Sequence, residues 1–253
     1  MTDLLHSESR DGVLLLTLNR PDVRNAVNTE LREALAQAMH EFATDESYRV
    51  AILTGAGETF CAGADLKEFA DRSIGRPPAD YFAAFGPDDF IEKPVITAVN
   101  GAAYAGGFRM AQFGDLCLAS ETASFAISEA KWSRGAPWAA PLTRMLPRRV
   151  LAELLFTAQP ISARRAYEVG LVNEVLPPAE LLPRAWEVAR TIADNAPLSI
   201  KAYKWMLRVG AEAGVGATSV IADEIFRPVY DSEDAKEGPL AFRERRQPVW
   251  KNR

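Results

Sequence analysis

The segment "PVITAVNGAAYAGGFRMAQFGD", residues 94–115, decides the fold class because its periodicity changes within a few residues. It begins with a short run of apolar and β-branched residues, which is typical of a buried strand. Two adjacent glycines, Gly106 and Gly107, then open an apolar stretch that has the character of a helix. A strand that leads through a tight turn into a helix is characteristic of α/β proteins.

The chain on either side of this segment supports the same fold class. The segments "GVLLLTLNR" (12–20) and "RVAILTGAG" (49–57) predict buried strands, and "LCLAS" (116–120) and "ASFAI" (123–127) predict two more. Between the first two strands, apolar residues recur every three or four positions and predict a helix that Asn28 or Thr29 caps. These apolar positions are Leu31, Leu35, Met39 and Phe42.

The C-terminal half is predicted to be mainly helical. Helices are expected in "PLTRMLPRRVLAELLFTAQ" (141–159) and in "SARRAYEVG" (162–170), where Gly170 ends the second one. The segment "LVNEVLP" (171–177) is the one strand expected in this half. Helices interrupted by Pro and Gly follow to the end of the chain. We therefore predict a core over residues 1–195 and a C-terminal helical lobe over residues 196–253.

Composition excludes several classes of protein. The 253 residues carry a formal net charge of −5, which does not favour charge-driven binding to nucleic acid or to a membrane surface. The N-terminal sequence lacks the pattern of a signal peptide, and no apolar run has the length of a membrane span, so a cytoplasmic protein is expected. The only cysteines, Cys61 and Cys117, lie far apart in apolar contexts. Neither a disulfide framework nor a zinc site is expected.

The scarcity of histidine limits the possible mechanisms. The chain has two histidines: His6, in an N-terminus that we expect to be frayed, and His40, near the end of a predicted helix. A Ser-His-Asp triad or a histidine metal site is hard to build from these two residues. Acid–base chemistry must therefore depend mainly on carboxylates.

Two glycine-containing segments are candidates for binding an anionic oxygen. In "GAGETFCAGADLKEF" (55–69) the chain can turn sharply into a short helix, which places backbone N–H groups near Ala64. In the segment quoted first, the N–H group of Gly106 can approach a ligand in the same way. Two such donors aimed at one oxygen would form an oxyanion hole.

A carboxylate follows in "ASFAISEAKWSRGAPW" (123–138), where Glu129 comes directly after a short apolar strand. Removal of a carboxylate from water raises its pKa and makes it a better proton carrier near neutral pH. In isolation, however, Glu129 would be interpreted as an ordinary surface residue, and the glycine segment around Ala64 as a turn that needs glycine for its geometry.

Taken together, the order and spacing of these segments resemble the crotonase superfamily, also called the enoyl-CoA hydratase/isomerase family. The resemblance extends over nearly the whole chain. It is carried by "RPDVRNAVNTEL", "AILTGAGETFCAGADLKEF", "KPVITAVNGAAYAGG", "ISARRAYEVGLVNEVLP" and "SEDAKEGPLAFRERRQPVW". It implies a spiral of ββα units, a C-terminal helical lobe that assembles a homotrimer or a dimer of trimers, and an acyl-CoA thioester substrate. It implies no permanently bound cofactor, since coenzyme A enters as part of the substrate.

The resemblance also implies roles for individual residues. The amides of Ala64 and Gly106 would hold the thioester carbonyl oxygen, and Glu129 would transfer protons. The residues expected along the coenzyme A moiety are Arg24, Ala26, Ala64, Asp65, Leu66 and Lys67.

This sequence departs from the family pattern at two places. Hydratases of the family use two glutamates, and Arg109 occupies the position of the first, which argues against simple hydration of a 2-enoyl-CoA. In the loop after Glu129, Ser133 replaces the usual glycine. Two tryptophans, Trp132 and Trp138, lie nearby and either pack in the fold or line the acyl pocket.

Three functions remain open from the sequence. The first is an isomerase-like enzyme in which Glu129 alone moves the proton. The second is a decarboxylase, a hydrolase or a hydratase of an acidic or unusual acyl-CoA, in which Arg109 binds a substrate carboxylate. The third is a non-catalytic CoA-binding scaffold.

Overall fold

The computed structural model describes residues 3–74, 81, 85 and 90–253. The chain forms a mixed α/β fold, as the sequence predicts, and its strands form two sheets. The larger sheet has six strands in the order β1-β2-β3-β4-β6-β9, in which only the β1–β2 pair is antiparallel. Its strands are β1 (Leu5–Arg10), β2 (Val13–Leu18), β3 (Val50–Gly55), β4 (Val95–Val99), β6 (Leu116–Ser120) and β9 (Glu174–Leu176).

The smaller sheet has the strand order β5-β7-β8. Its strands are β5 (Ala102–Tyr104), β7 (Ser124–Ala126) and β8 (Ile161–Ser162). Strand β5 is parallel to β7, and its register pairs Tyr104 with Ala126. This pairing matters for the site, because it places the segment that follows β5 beside the segment that follows β7.

Nine helices pack around the sheets or extend from them in the described part of the chain. They are α1 (Thr29–Thr44), α2 (Leu66–Asp71), α3 (Gly106–Phe113), α4 (Leu142–Met145), α5 (Arg148–Thr157), α6 (Ala163–Glu168), α7 (Pro178–Ala193), α8 (Pro197–Asp231) and α9 (Asp234–Glu244). Helix α8 is bent at Gly214, whose φ of 73° is not helical. Among these helices, none combines the length and the apolar composition that a bilayer crossing requires.

The six-stranded sheet separates two apolar cores. In β2, Leu14, Leu16 and Leu18 face one core, and Val13 and Leu15 face the other, because successive side chains of a strand point to opposite faces. The larger core receives the buried face of α1. This face consists of the four predicted residues Leu31, Leu35, Met39 and Phe42. The smaller core is closed by α7, through Leu181, Ala185 and Ala189.

The predicted ends of two helices are confirmed. The side chain of Asn28 caps α1 by accepting a hydrogen bond of 3.0 Å from the Leu31 amide. Gly170 follows the end of α6 with a φ of 82°, a left-handed conformation that glycine adopts more readily than other residues. The helical segment predicted over 141–159 is divided into α4 and α5, since the nitrogen of Pro147 cannot donate a helical hydrogen bond.

Two expectations about strands are wrong. The N-terminus is not frayed at His6, because this residue lies in β1 and pairs with Thr17 of β2. The segment 171–177 is not the only strand in the C-terminal half, since Ile161 of β8 pairs with Phe125. Strand β8 has only two residues, so it has no periodicity that a sequence pattern could reveal.

The C-terminal helices and the segment after α9 contact the rest of the chain through polar bonds. Lys204 of α8 forms an ion pair of 2.7 Å with Asp115, and the indole of Trp250 donates to the carbonyl oxygen of Asp194 at 2.8 Å. The boundary at residue 195 stays a prediction, because these contacts show that the helices dock and do not show that they fold separately.

Candidate active site

The two predicted anion-binding segments lie directly against each other. The amide of Cys61 donates to the carbonyl oxygen of Ala102 at 3.0 Å, and the amide of Tyr104 donates to the carbonyl oxygen of Cys61 at the same distance. Together with the parallel β-bridge between Cys61 and Ala103, these bonds pair β5 with the segment that precedes Ala64. The sequence predicted two donors, and the structure brings their segments together.

Glycine is required where these segments touch. A Cβ atom on Gly107 would lie 2.1 Å from the carbonyl oxygen of Cys61, and one on Gly63 would lie 3.2 Å from the amide nitrogen of Gly106. Real Cβ atoms essentially never approach another heavy atom within 3.0 Å. The first turn of α3 can therefore approach residues 61–64 only because neither glycine carries a side chain.

The amides of Ala64 and Gly106 are available to a ligand. Among the described residues, no hydrogen bond uses the N–H group of either residue. Gly106 is the first residue of α3, where the helix leaves its initial N–H groups without partners and carries partial positive charge. Both properties suit the binding of a negatively charged oxygen.

Ala105, the residue before α3, has an unusual backbone conformation that orients the N-terminus of this helix. Ala105 has φ 50° and ψ −117°, which a residue with a Cβ atom rarely adopts. Its amide donates to the carbonyl oxygen of Ala126, the last residue of β7, at 2.9 Å. Backbone strain of this kind costs about 1–3 kcal/mol and is often found at functional sites. Here it coincides with the turn that presents the Gly106 amide.

Glu129 lies three residues beyond the end of β7, in a short 3₁₀ helix over Glu129–Trp132. The indole Nε1 of Trp138 donates to Oε1 of Glu129 at 2.8 Å. The other oxygen, Oε2, is shielded from solvent and has no hydrogen-bond partner in the described parts of the chain. Glu129 is therefore not the ordinary surface glutamate that it would be in isolation.

The surroundings of Glu129 shift its protonation equilibrium. Desolvation raises the pKa of Glu129, because burial disfavours the charged carboxylate. The backbone at Glu129, the indole of Trp138 and the backbone at Ser128 oppose this shift by stabilising the carboxylate. The net direction is upward, which the sequence predicted from the position of Glu129 after an apolar strand.

Trp138 connects Glu129 to α3. Its ring packs on Phe108 with a centroid distance of 5.9 Å, and its carbonyl oxygen accepts a hydrogen bond of 2.7 Å from Nε2 of Gln112. Trp132, in contrast, is 62% exposed. From the sequence, each tryptophan was expected either to pack in the fold or to line the acyl pocket. The sequence did not indicate the bond to Glu129, since the eight residues between the two partners form short 3₁₀ turns and loops that follow no apolar period.

Arg109 lies in the first turn of α3, half-buried, and its Nε donates to the carbonyl oxygen of Phe85 at 3.0 Å. The ring of Phe85 packs edge-on against Phe113 of the same helix, at 5.0 Å. The guanidinium is therefore engaged by the protein itself. The backbone amide of Arg109 is satisfied by the carbonyl oxygen of Ala105 at 3.0 Å.

The residues predicted to lie along coenzyme A come from two adjacent segments. The amide of Val27 donates to Gly63 at 2.8 Å, and the amide of Asp65 donates back to Val27 at 2.9 Å. These bonds place Arg24 and Ala26 beside the segment that contains Ala64, Asp65, Leu66 and Lys67. Arg24 and Lys67 are exposed, Leu66 is 45% exposed, and Ala26 is half-buried.

Two residues that the sequence did not indicate hold these segments in place. Asn25 is fully buried, and its amide group donates to the carbonyl oxygens of Ala56 at 2.9 Å and Thr59 at 2.7 Å. The guanidinium of Arg20 donates to the carbonyl oxygen of Ala26 and, at 3.1 Å, to the carboxylate of Asp65. The carboxylate of Asp65 thus has a structural partner and also caps α2.

Cys61 is not a nucleophile, although it lies between the two donor segments. Burial raises the pKa of its thiol to about 12, and a bond to the backbone at Gly63 offsets this only in part. This direction disfavours the thiolate that nucleophilic chemistry requires. A small pocket lies elsewhere, near Lys93 and Lys201, and none of the predicted site residues lines it.

The site combines two amides that no described residue engages, at a glycine-lined contact, with a desolvated carboxylate that Trp138 links to α3. This arrangement can hold a carbonyl oxygen while a proton is moved on the neighbouring carbon, which is the chemistry of an enolate-stabilising enzyme.

Comparison with known proteins identifies the family. Residues 8–253 match the family model described as enoyl-CoA hydratase/isomerase. The chain is 39% identical over 259 residues to enoyl-CoA hydratase EchA19 of Mycobacterium tuberculosis, with 97% of this chain and 96% of that protein covered. It is 38% identical over 268 residues to the carnitinyl-CoA dehydratase of Escherichia coli O157:H7, and all of both chains is covered.

Solved structures agree with this result. An enoyl-CoA hydratase of Mycobacterium tuberculosis H37Rv superposes with a TM-score of 0.90 at 36% identity, over all of both chains. EchA1 of Mycobacterium marinum, also an enoyl-CoA hydratase, superposes with a TM-score of 0.92 at 35% identity, again over all of both chains. The chain belongs to the enoyl-CoA hydratase/isomerase family of the crotonase superfamily, and it is an acyl-CoA enzyme of that family.

Proposed function

We propose that this enzyme moves a double bond in an enoyl-CoA thioester, with Glu129 as its only proton-transferring carboxylate. Glu129 removes a proton from C2 of a 3-enoyl-CoA, and the electron pair of that C–H bond spreads over a dienolate. The same carboxyl group then returns the proton to C4, which gives the 2-enoyl-CoA. The amides of Ala64 and Gly106 hold the thioester oxygen while it carries negative charge.

The observation that carries the proposal is the environment of Glu129. Its carboxylate is desolvated, its pKa is raised, and Oε2 has no hydrogen-bond partner within the described residues. Arg109 lies where a second glutamate would be needed to hold and activate water, and it bonds to the protein at Phe85. A single base is sufficient for a proton shuttle, whereas hydration by the two-carboxylate route is not available.

The same proposal assigns residues that bind the coenzyme A moiety of the thioester substrate. Arg24, Ala26, Asp65, Leu66 and Lys67 would lie along the coenzyme A moiety, because their two segments are bonded beside the Ala64 amide. The exposed cations Arg24 and Lys67 suit its phosphates. Coenzyme A is thus bound as part of the substrate, and no resident cofactor is required.

A second candidate is a hydratase or dehydratase of an unusual acyl-CoA, which the names of the relatives favour. The related proteins are named enoyl-CoA hydratase and carnitinyl-CoA dehydratase. In this case Arg109 would release its bond to Phe85 and bind the acyl group, as would also be needed in a decarboxylase or a hydrolase of an acidic acyl-CoA.

One experiment separates the two candidates. The purified enzyme is incubated separately with 3-hexenoyl-CoA and with crotonyl-CoA, and the products are followed by absorbance and by mass. Isomerisation gives the conjugated 2-enoyl product at unchanged mass, whereas hydration adds the mass of water. Conversion of 3-hexenoyl-CoA alone supports the isomerase. Hydration of crotonyl-CoA would refute the single-base proposal, and turnover of neither would favour a special acyl group or a scaffold.

We also propose that the C-terminal helices assemble a homotrimer or a dimer of trimers. Large apolar side chains on these helices are exposed in the single chain: Leu207 (68%), Val215 (85%) and Phe242 (87%). Exposed apolar surface of this kind is often covered by another subunit. Light scattering coupled to size-exclusion chromatography tests the proposal, and a monomeric mass at micromolar concentration would contradict it.

A further inference from the structure

Trp138 is the one described side chain that touches the catalytic carboxylate through a direct hydrogen bond. Its indole donates to Oε1 of Glu129 at 2.8 Å. Its backbone carbonyl is held by Gln112 at 2.7 Å, and its ring lies on Phe108. Gln112 and Phe108 both belong to α3, the helix that starts with the Gly106 amide. Trp138 therefore ties the carboxylate to the same helix that presents an oxyanion donor.

The two oxygens of Glu129 differ because of this contact. Oε1 is occupied by the indole, while Oε2 is buried and has no partner among the described residues. A buried polar atom without a hydrogen bond is rare in proteins and calls for an explanation. A substrate C–H group beside Oε2 supplies one, since a proton acceptor must keep a lone pair available.

We propose that Trp138 is a positioning residue that holds Glu129 by Oε1, so that Oε2 is the oxygen that takes and returns the substrate proton. The proposal rests on the role of Glu129 in the proposed function. A single active oxygen explains how one carboxylate can serve both C2 and C4 without rotating between the two transfers.

The chemistry of indole suits this role. The Nε1–H group of tryptophan donates a hydrogen bond, does not accept one, and stays protonated throughout the working pH range. It therefore stabilises the carboxylate form of Glu129 and offsets part of the desolvation that raises its pKa. A second carboxyl group in the same place would titrate and exchange protons, whereas the indole adds no further ionisation.

The first test is Trp138→Phe, with Trp132→Phe as the matched control. Phenylalanine keeps an aromatic ring against Phe108 but removes the N–H donor. Loss of a hydrogen bond to a charged group is expected to lower kcat about ten- to a hundredfold. The rising limb of kcat against pH should move to higher pH, because the carboxylate loses a stabilising donor, while KM changes little. Trp132 is 62% exposed, so its replacement should leave all three quantities unchanged.

A second measurement needs no substrate. The fluorescence difference between wild type and Trp138→Phe should titrate with Glu129, because the carboxyl group that ionises is hydrogen-bonded to the indole. This titration should persist in Trp132→Phe and disappear in Glu129→Gln. If the proposed function is wrong, the turnover assay fails but the fluorescence titration remains, so the two failures are distinguishable.

A third variant keeps the test valid if Trp138→Phe does not fold. Gln112→Leu removes the donor to the carbonyl oxygen of Trp138 and leaves the indole present. It should shift the pH profile in the same direction, by a smaller amount. The inference is overturned if Trp138→Phe or Gln112→Leu keeps the wild-type kcat and pH profile, or if the fluorescence titration survives in Glu129→Gln.

Discussion

The contact between Gly107 and Cys61 gives the sharpest prediction, because it sets the distance between the two proposed oxyanion donors. A Cβ atom placed on Gly107 would lie 2.1 Å from the carbonyl oxygen of Cys61, about 0.9 Å less than the 3.0 Å that real Cβ atoms keep. The partner is a backbone atom, so no side chain can rotate away. In Gly107→Ala, α3 must therefore move away from residues 61–64 by about 1 Å.

This displacement acts on catalysis as well as on stability. The Ala64 amide lies on one side of the contact and the Gly106 amide on the other, so their separation increases. Donors must lie within about 2.7–3.1 Å of the oxyanion to be effective, and loss of one donor typically costs about 100- to 1,000-fold in kcat. A misplacement of about 1 Å is enough for an effect of this order.

The assay compares kcat and KM of Gly107→Ala and wild type on the substrate that the turnover experiment identifies. We expect kcat to fall by about a hundredfold or more and KM to change much less, since the coenzyme A segments are untouched. Gly216→Ala is the control, because a Cβ at Gly216 meets no atom within 4 Å. Thermal unfolding shows whether the variant is folded at the assay temperature. A folded Gly107→Ala enzyme with wild-type kcat would refute the proposed oxyanion hole.

Other substitutions test the remaining parts of the site. Arg109→Glu should raise hydration of crotonyl-CoA, by about a hundredfold if the new carboxylate reaches the water, and an unchanged rate would place Arg109 outside the acyl pocket. Asn25→Ala should cost about 1–3 kcal/mol in chemical denaturation and raise KM, because the half-buried carbonyl oxygens of Ala56 and Thr59 lose their donor; an unchanged midpoint would contradict this. Glu129→Gln should raise Tm at neutral pH, since the folded-state pKa of Glu129 is raised and its charged form destabilises the fold. The Tm gain should vanish below pH ~4, where Glu129 is neutral both folded and unfolded, and calorimetry across pH would contradict this if the gain persisted.

The strands and long helices could be predicted from periodicity because each has a clear apolar pattern. The four apolar residues of α1 and the apolar run of β2 are examples, and both lie in the cores as expected. Strand β8 was missed because two residues carry no pattern. Strand β1 was missed because its burial is confined to one end, where Leu5 is buried while the rest of the strand is largely accessible.

The site was predicted less completely than the fold. The glycines around Ala64 and Gly106 indicated two donor segments, since close backbone contacts need glycine. The bond from Trp138 to Glu129 could not be predicted, because it depends on how residues 133–137 fold back toward α3. Arg20 and Asn25 were missed for a similar reason: polar residues in a turn do not reveal which distant carbonyl oxygens they bind.

Isotope exchange shows whether Glu129 moves a proton next to a thioester held by two backbone amides. The enzyme is incubated with 3-hexenoyl-CoA in D₂O, and deuterium in the recovered thioester is measured by mass spectrometry. We predict that wild type forms the 2-enoyl product with less than one deuterium per turnover, because Glu129 returns the proton that it removed, while Glu129→Gln forms no product, introduces no deuterium and still binds coenzyme A with nearly unchanged affinity. Isomerisation and exchange by Glu129→Gln at the wild-type rate would contradict the account.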